Sequence, residues 1–523
     1  MEPVKRRERV IFILLVGFFT VVLLKTAWVS DDAYITFRSI ENFIHGYGMV
    51  HNVGERVQTF THPLWFFIQA GANFILQKGL GFDFWSQMYY VNILLSISLS
   101  LLTVAGLIYQ VSKSVQTSSI VVAVLISSKA FLDYSTSGLE NPLTHLLLVA
   151  FYIIYFEEKL TKERKILVLS FIGCLASLNR LDTILFFIPP LVYLFFKNQA
   201  SLKKMTAIIT GFIPLLIWEI FSLFYYGALF PNTAYAKLNT GISRLSSILQ
   251  GLKYYQDSIL TDPITLIVII GCVILILNRK SSKQLPFLIS IFLYLFYILT
   301  IGGDFMSGRY FSAVLVLSVA IISFEISGWK WKKQAVILLL VLGYGLINPY
   351  SPLRAPLQYG REDFRHYINE DGIADERAIY YSYLGLFSTE KRAGFPGSKF
   401  SGEDWIYKEN SGGLVVLGPL GIDGYALGPN THVIDKNALA DPLMARLPLD
   451  NQDDSRIGHF RHIIPEGYFE TLETGRNEIE NPNIATYYDR IKLIVRGELF
   501  DIERLKEIIN LNLGRYDHLV EIN

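Results

Sequence analysis

Residues 10 to 38 read VIFILLVGFFTVVLLKTAWVSDDAYITFR, and the join inside this stretch decides the fold. About eighteen apolar residues, close to what one bilayer crossing needs, run directly into the adjacent carboxylates Asp31 and Asp32. A basic start (Lys5, Arg6, Arg7, Arg9) precedes the apolar run and no small-residue cleavage site follows it. The segment therefore reads as a retained anchor rather than a removed signal.

The pattern continues outward from this anchor. Of the 523 residues, 51% are hydrophobic, 14% aromatic and only 18% charged, too apolar a balance for an ordinary soluble chain. Further apolar segments lie near 89 to 110, 119 to 132, 143 to 156, 166 to 178, 183 to 196, 205 to 226, 264 to 278, 285 to 301, 310 to 327 and 334 to 349. The expected fold class is thus a polytopic α-helical membrane protein with about 11 transmembrane helices. Segment 59 to 79 is apolar too, but it follows a polar loop and Pro63 stands where a helix would start. It is expected to lie on or dip into the outer membrane surface.

Charge placement gives the orientation. With the N-terminus inside, the expected cytoplasmic loops hold Lys113, then Lys159, Lys162, Arg164 and Lys165, then Lys197, Lys203 and Lys204, then Arg279, Lys280 and Lys283, then Lys330, Lys332 and Lys333. All agree with the excess of Lys and Arg found on cytoplasmic loops. The same threading puts 29 to 88, 133 to 142, 179 to 182, 227 to 263, 302 to 309 and everything from 350 onward outside.

From 350 the long apolar runs stop, and short strand-like runs such as Gly413-Leu414-Val415-Val416-Leu417 appear between Pro, Gly, Asp and Asn. The expected division is a membrane domain, 1 to 349, and a C-terminal α/β extracytoplasmic domain, 350 to 523. With 47 Lys and Arg against 46 Asp and Glu, nothing in the charge favours a nucleic-acid partner. Cys174 and Cys272 sit inside apolar runs and offer neither a disulfide framework nor a thiolate metal cluster.

The ionisable residues then fall at the ends of spans on one side: Asp31, Asp32, Arg38, His62, Glu140, Arg180, Asp182, Lys237, Asp304 and Arg309. Charges at membrane depth are costly and usually face a cavity or pair with one another, so a site built from several outer loops is expected. Asp31 and Asp32 could serve as general base and partner, or Ser30-Asp31-Asp32 could simply cap the helix that follows. Arg180 and Asp182 could form a structural ion pair. In Gly302-Gly303-Asp304-Phe305-Met306-Ser307-Gly308-Arg309, the glycines permit a close approach to an anion and Arg309 could fork onto a phosphate; a plain interhelical turn fits as well. His62 precedes a proline and Glu140 precedes a helix, so each also has a structural explanation. No ligand spacing demands a metal, and a divalent cation between Asp31 and Asp32 is left open without being required.

The run DDAYITFRSIENFIHGYGMVHNVGERVQTFTHPLW resembles the first outer loop of bacterial polyprenyl-phosphate-dependent glycosyltransferases of the GT-C superfamily, in particular the terminal arabinofuranosyltransferases of the mycobacterial cell wall, the AftB family. The likeness continues in order through SGLENPL, LNRLD, ALFPNTAYAKL and GGDFMSGR, and in the tail through GPLGIDGYALGPNTHVIDKNALADPLMARLP and RIGHFRHIIPEGY. Leu181 and Ala313 stand where such relatives often carry Pro.

The resemblance implies a GT-C fold and transfer of a sugar, D-arabinofuranose first, from a polyprenyl-phosphate donor to a cell-envelope glycan, glycolipid or glycoprotein on the outer face of the inner membrane. It implies Asp31 as catalytic carboxylate with Asp32 beside it, and Arg309 with Arg180, Lys237 and Arg38 for the donor phosphate. It places His62, Glu140, Asp182 and Asp304 along the cavity, and gives the tail the acceptor. The alternatives are another sugar moved by the same chemistry, a lipid-linked sugar flippase, or a non-catalytic glycan-binding scaffold. A flippase would call for midplane charges and related halves, and neither is visible.

Overall fold

The structure, a computed structural model, describes residues 6–81, 87–112, 114–197, 199–238, 240–279, 282–356, 359–360, 364–388, 412–450 and 456–520. Lys5, Lys113 and Lys280 of the charge pattern lie outside the described residues. Two compact units emerge. The first comprises Met1–Ser30, Tyr89–Pro214 and Arg244–Pro396, and the second Asp31–Met88, Leu215–Ser243 and Gly397–Asn523. The chain passes from one to the other at the Ser30–Asp31 bond.

Each apolar segment of the sequence is helical where described. Glu8–Thr26 and Gln87–Ser112 are long and apolar enough to cross a membrane, and two bent pairs of helices would raise the number to four. One pair, Arg244–Thr261 with Pro263–Arg279, turns through 106°. Pro263 accounts for the break: it starts a new helix well but cannot continue the one before it.

In the first unit the helix Phe311–Ile326 is buried on nearly every side. It packs against Asn141–Phe156 and Pro263–Arg279. Residues 364–388 also belong to this unit, not to a tail domain that begins at 350. The reason is a buried charge network. Lys129 Nζ lies 2.8 Å from Asp375 Oδ1, Arg377 Nε lies 2.6 Å from Asp133 Oδ1, and Lys129 pairs with Asp133 as well. Ser307 N donates to Ala374 O at 2.9 Å and Leu386 N to Ala27 O at 2.8 Å, fastening the same stretch at two more points.

The second unit joins the loop that follows the first apolar segment to Leu215–Ser243 and to the rest of the tail. Strands β1 (Gly413–Leu417) and β2 (Thr431–Asp435) pair in parallel, with Val415 opposite Val433. Asn52 reads the edge of β2 like an added residue of sheet, donating to Val433 O at 2.9 Å and accepting from Val433 N at 3.0 Å. One core gathers Ile434, Leu443, Tyr468, Tyr487, Tyr488, Ile491 and Ile508; a smaller one places Ile35 among Leu417, Leu420, Leu427 and Val433. Segment 59 to 79 is helical as expected, an α-helix Pro63–Phe74 continued by Ile75–Gly79 with wider turns.

Arg504 shows how buried helix ends are satisfied here. Its Nε donates to Ile494 O at 2.8 Å, Nη1 to Leu499 O at 3.1 Å, and Nη2 to Phe224 O and Tyr225 O at 2.9 Å each. The cation therefore sits on the C-terminal carbonyls of two helices, Ile213–Tyr225 and Pro482–Arg496, where both the dipole and the orphan acceptors favour it. Arg504→Met keeps most of the apolar stem and leaves these carbonyls unserved. It is expected to cost about 3 kcal/mol, read as a lower thermal unfolding temperature of the detergent-solubilised protein.

Candidate active site

The sequence-selected residues fall into two groups, one in each unit. In the first unit, Glu140 stands at the entrance of the Asn141–Phe156 helix with its side chain 1% exposed. One of its oxygens serves two cations: Arg180 Nη1 lies 3.0 Å from Oε1 and Arg309 Nη2 lies 3.1 Å from the same atom. Arg309 Nη2 is also 3.3 Å from Oε2.

Two further carboxylates complete the row. Arg180 Nε is 2.7 Å from Asp182 Oδ1, and Arg309 Nη1 is 3.4 Å from Asp304 Oδ2. Tyr294 donates its hydroxyl to Asp182 Oδ2 at 3.1 Å, and the Arg180 guanidinium lies 4.2 Å from the Tyr310 ring centre. Arg180 and Asp182 do form the ion pair foreseen from their spacing, yet as part of a larger array. Burial opposes the charge on Arg180, but Asp182 and the neighbouring groups outweigh it and hold its pKa well above the ordinary value. For Arg309, burial is likewise outweighed, here by Glu140 and Asp304. Its Nε is buried and makes no hydrogen bond.

Backbone geometry explains why these residues meet. Arg180 follows the last turn of Lys162–Asn179, whose Asn179 donates to Glu140 O and to Thr144 Oγ1, both at 2.9 Å. In GGDFMSGR, Gly303 has φ +73° and a Cβ there would come within 2.4 Å of the Tyr254 ring. That glycine is set by close packing and left-handed backbone, not by an anion.

In the second unit, Asp31 and Asp32 open the helix Asp31–Ile44. Carboxylates in a first turn are favoured by the helix dipole, but the serine cap considered from sequence does not form. The buried hydroxyl of Ser30 makes no hydrogen bond. Asp31 is held instead by the tail: Ile422 N donates to Oδ1 at 2.8 Å, with Gly421 N as a further backbone donor. The contact is close enough to require glycine, since a Cβ at Gly421 would stand 2.1 Å from Asp31 O and 2.4 Å from Oδ2.

Burial pushes the Asp31 carboxyl up to about 7; Asp32 and Asp423 add to the rise, and the Ile422 and Gly421 N–H groups oppose it. Tyr34 and Phe37 seat the arrangement against Tyr425, with ring centres 5.5 and 6.4 Å away.

Three other expectations find different surroundings. Arg38 is buried, with Nε on His51 O at 2.8 Å, Nη2 on Thr431 O at 2.6 Å and Nη1 on Gly424 O. Its guanidinium is occupied by main-chain carbonyls and clasps the first loop to the tail, surroundings other than those the expected phosphate-binding role calls for. His62 precedes the Pro63–Phe74 helix and shares a hydrogen bond with Thr36 Oγ1 at 3.0 Å. Lys237 is exposed in the last turn of Asn232–Leu238; it adds to the burial and the Arg456 charge that disfavour protonation of His459. Among the described residues, no group of three or more His, Cys, Asp or Glu is arranged to hold a metal ion.

Sequence reasoning missed Gly421, Ile422 and Asp423 as parts of this site. The quoted block GPLGIDGYALGP contained them, but nothing local says that a main-chain N–H there meets Asp31.

Glu140→Gln keeps the shape of the shared acceptor and removes its charge. Breaking a buried pair from one side costs about 3 kcal/mol or more, so a marked drop in thermal stability is expected. Asp304→Asn, at the longer 3.4 Å contact, is expected to lower stability less in the same measurement.

No family model matches the chain. It is 23% identical over 527 residues to the terminal beta-(1->2)-arabinofuranosyltransferase of Mycobacterium tuberculosis, an alignment covering 84% of this chain and 81% of that protein. It is 24% identical over 358 residues to the Corynebacterium glutamicum protein of the same name, covering 58% of this chain and 49% of the relative. A crystal structure of ArnT from Cupriavidus metallidurans bound to undecaprenyl phosphate overlaps 72% of this chain and 69% of that one, at 11% identity and a TM-score of 0.44. The resemblance read from the sequence is thus shown by relatives that span most of the chain, and the protein is a membrane glycosyltransferase similar to the AftB-type terminal arabinofuranosyltransferases.

Proposed function

We propose that the protein moves a sugar, D-arabinofuranose first among the candidates, from a polyprenyl-phosphate donor to a cell-envelope glycan, glycolipid or glycoprotein, on the outer face of the membrane that holds it. The observation that carries this reading is Asp31. It is a carboxylate with a pKa near 7, gripped by two backbone N–H groups and flanked by Asp32 and Asp423. A general base works best when its pKa lies near the operating pH.

In this reading Asp31 takes the proton of the acceptor hydroxyl. The hydroxyl oxygen forms its bond to the anomeric carbon as the bond from that carbon to the phosphate oxygen breaks, and the polyprenyl phosphate leaves with the electron pair. Burial keeps the pKa of this base high, and Asp32 beside it adds to the rise.

Arg180 and Arg309 are given the charge that develops on the departing phosphate. Their guanidinium groups are fixed in advance by Glu140, so little reorganisation is needed when the charge appears. The unbonded Nε of Arg309 and the loose 3.4 Å contact to Asp304 leave donor capacity for an anion. The charge distribution along the sequence supports an inward N-terminus with the tail outside, and the tail residues 412 onward are given the acceptor.

The decisive assay offers polyprenyl-phosphate arabinofuranose beside polyprenyl-phosphate hexoses, with a mixed glycan acceptor, to the purified protein. Transfer from one donor is expected, and Asp31→Asn should lower it about 100-fold or more; full activity in that variant would remove Asp31 from the mechanism. A base must be deprotonated to act, so kcat/KM should rise with pH through about 7 in the wild type. Asp423→Asn deletes a negative neighbour and should move this rise to lower pH. An unmoved profile, in a variant that still transfers, would show that Asp423 does not act on Asp31.

A further inference from the structure

The Phe311–Ile326 helix carries charge beyond both of its ends. Arg309, two residues before it, is the buried cation described above. Beyond the other end lies the turn Ser327–Lys330, followed by Lys332 and Lys333, all three lysines being exposed. The turn is firmly built: Trp329 N donates to Ile326 O at 2.9 Å, and Gln334 Nε2 donates to Ile326 O at 2.8 Å and Trp329 O at 3.3 Å. Lys333 Nζ lies 6.0 Å from the Trp329 ring centre. Arg279, on the neighbouring helix, meets Glu325 at 3.8 Å. Four cations thus gather here with one carboxylate among them.

Trp329 is also part of the wall of a cavity of about 390 Å³ between the helices Val115–Ser127, Pro263–Arg279, Phe311–Ile326 and Trp331–Ile347. Ile120, Ile267, Val319 and Leu340 are typical of its lining. The few polar atoms face inward to the protein's own groups, as when Ser323 Oγ donates to Ala320 O at 3.0 Å. Gly271 lines the cavity too, and a Cβ there would meet nothing within 4 Å. A space with so few polar groups does not hold ordered water, which needs several polar partners. An apolar chain fits it.

We propose that this cavity holds one acyl chain of an anionic glycerophospholipid, with the lipid phosphate against the Trp329–Lys333 turn. Tryptophan and lysine at a span end suit the headgroup layer, and the excess of cations selects a negative headgroup. The occupant is distinct from the sugar donor. A lipid whose phosphate met Arg309 would have it at the far end of a 16-residue helix, about 24 Å away at 1.5 Å per residue.

The test is native mass spectrometry of the full-length protein reconstituted in nanodiscs of equal phosphatidylglycerol and phosphatidylcholine, then released into mild detergent. The wild type is expected to retain one phosphatidylglycerol at least tenfold in preference to phosphatidylcholine. Gly271→Phe fills open space and should lose the bound lipid about tenfold while keeping its thermal stability in detergent. The combined Lys330→Glu, Lys332→Glu and Lys333→Glu variant, confined to exposed side chains, should retain lipid but abolish the preference. Equal retention of both lipids by the wild type, unaltered retention in Gly271→Phe, or recovery of a polyprenyl phosphate in place of the phospholipid would each overturn the proposal.

Discussion

Glu140 is the carboxylate that two buried guanidinium groups share, and much of the first unit follows from the need to satisfy it. A buried ion loses several kcal/mol of hydration, so neither arginine could occupy its place without a fixed counter-charge. The fixed charge needs a fixed backbone. Asn179 supplies part of it by bonding the Glu140 carbonyl, and the packing of Gly303 against Tyr254 supplies another part by seating the loop that delivers Arg309. Helix ends from three parts of the chain are thereby tied to one side chain. Where negative charge develops on a leaving group this has a direct use, because cations already aligned need not reorganise when that charge appears.

Asp31 solves the opposite problem. It lies among negative neighbours and in partial burial, both of which disfavour its charge, and only backbone dipoles support it. The result is a carboxylate near the midpoint of its titration at neutral pH rather than one locked in either form. Gly421 makes this balance attainable, since any side chain there would push the two N–H groups out of reach. The same residue pattern in water would titrate as an ordinary aspartate. The tail therefore alters the chemistry of a residue almost 400 positions earlier in the chain, the hydrogen bond from Ile422 spanning 391 residues.

Local signals were legible and long-range ones were not. The apolar segments became helices, Pro63 opened the helix it was expected to open, and Gly413–Leu417 became a strand, because each depends on neighbours in sequence. Of the ten residues expected in one site, Glu140, Arg180, Asp182, Asp304 and Arg309 meet one another, as buried opposite charges do. For Arg38 the sequence displays a charge but not the three carbonyls that occupy it. The two compact units depart from a division at 350 for a related reason. A composition change marks where long spans end, whereas unit membership is decided by partners such as Asp375 and Arg377, whose counter-charges Lys129 and Asp133 lie more than 240 residues away.

The Phe311–Ile326 helix shows how the surroundings of a charge decide its use. At one end Arg309 is buried, 12% exposed, and held by Glu140 and Asp304, so that its position is set to within one geometry. At the other end Lys330, Lys332 and Lys333 are exposed on flexible stems, and their field is screened beyond about 10 Å by ordinary salt. Fixed cations can stabilise one developing charge at one point; exposed lysines can only favour a class of neighbour. A single helix buried along its length keeps the two sets of charge apart, because its rigid length of about 24 Å separates its ends.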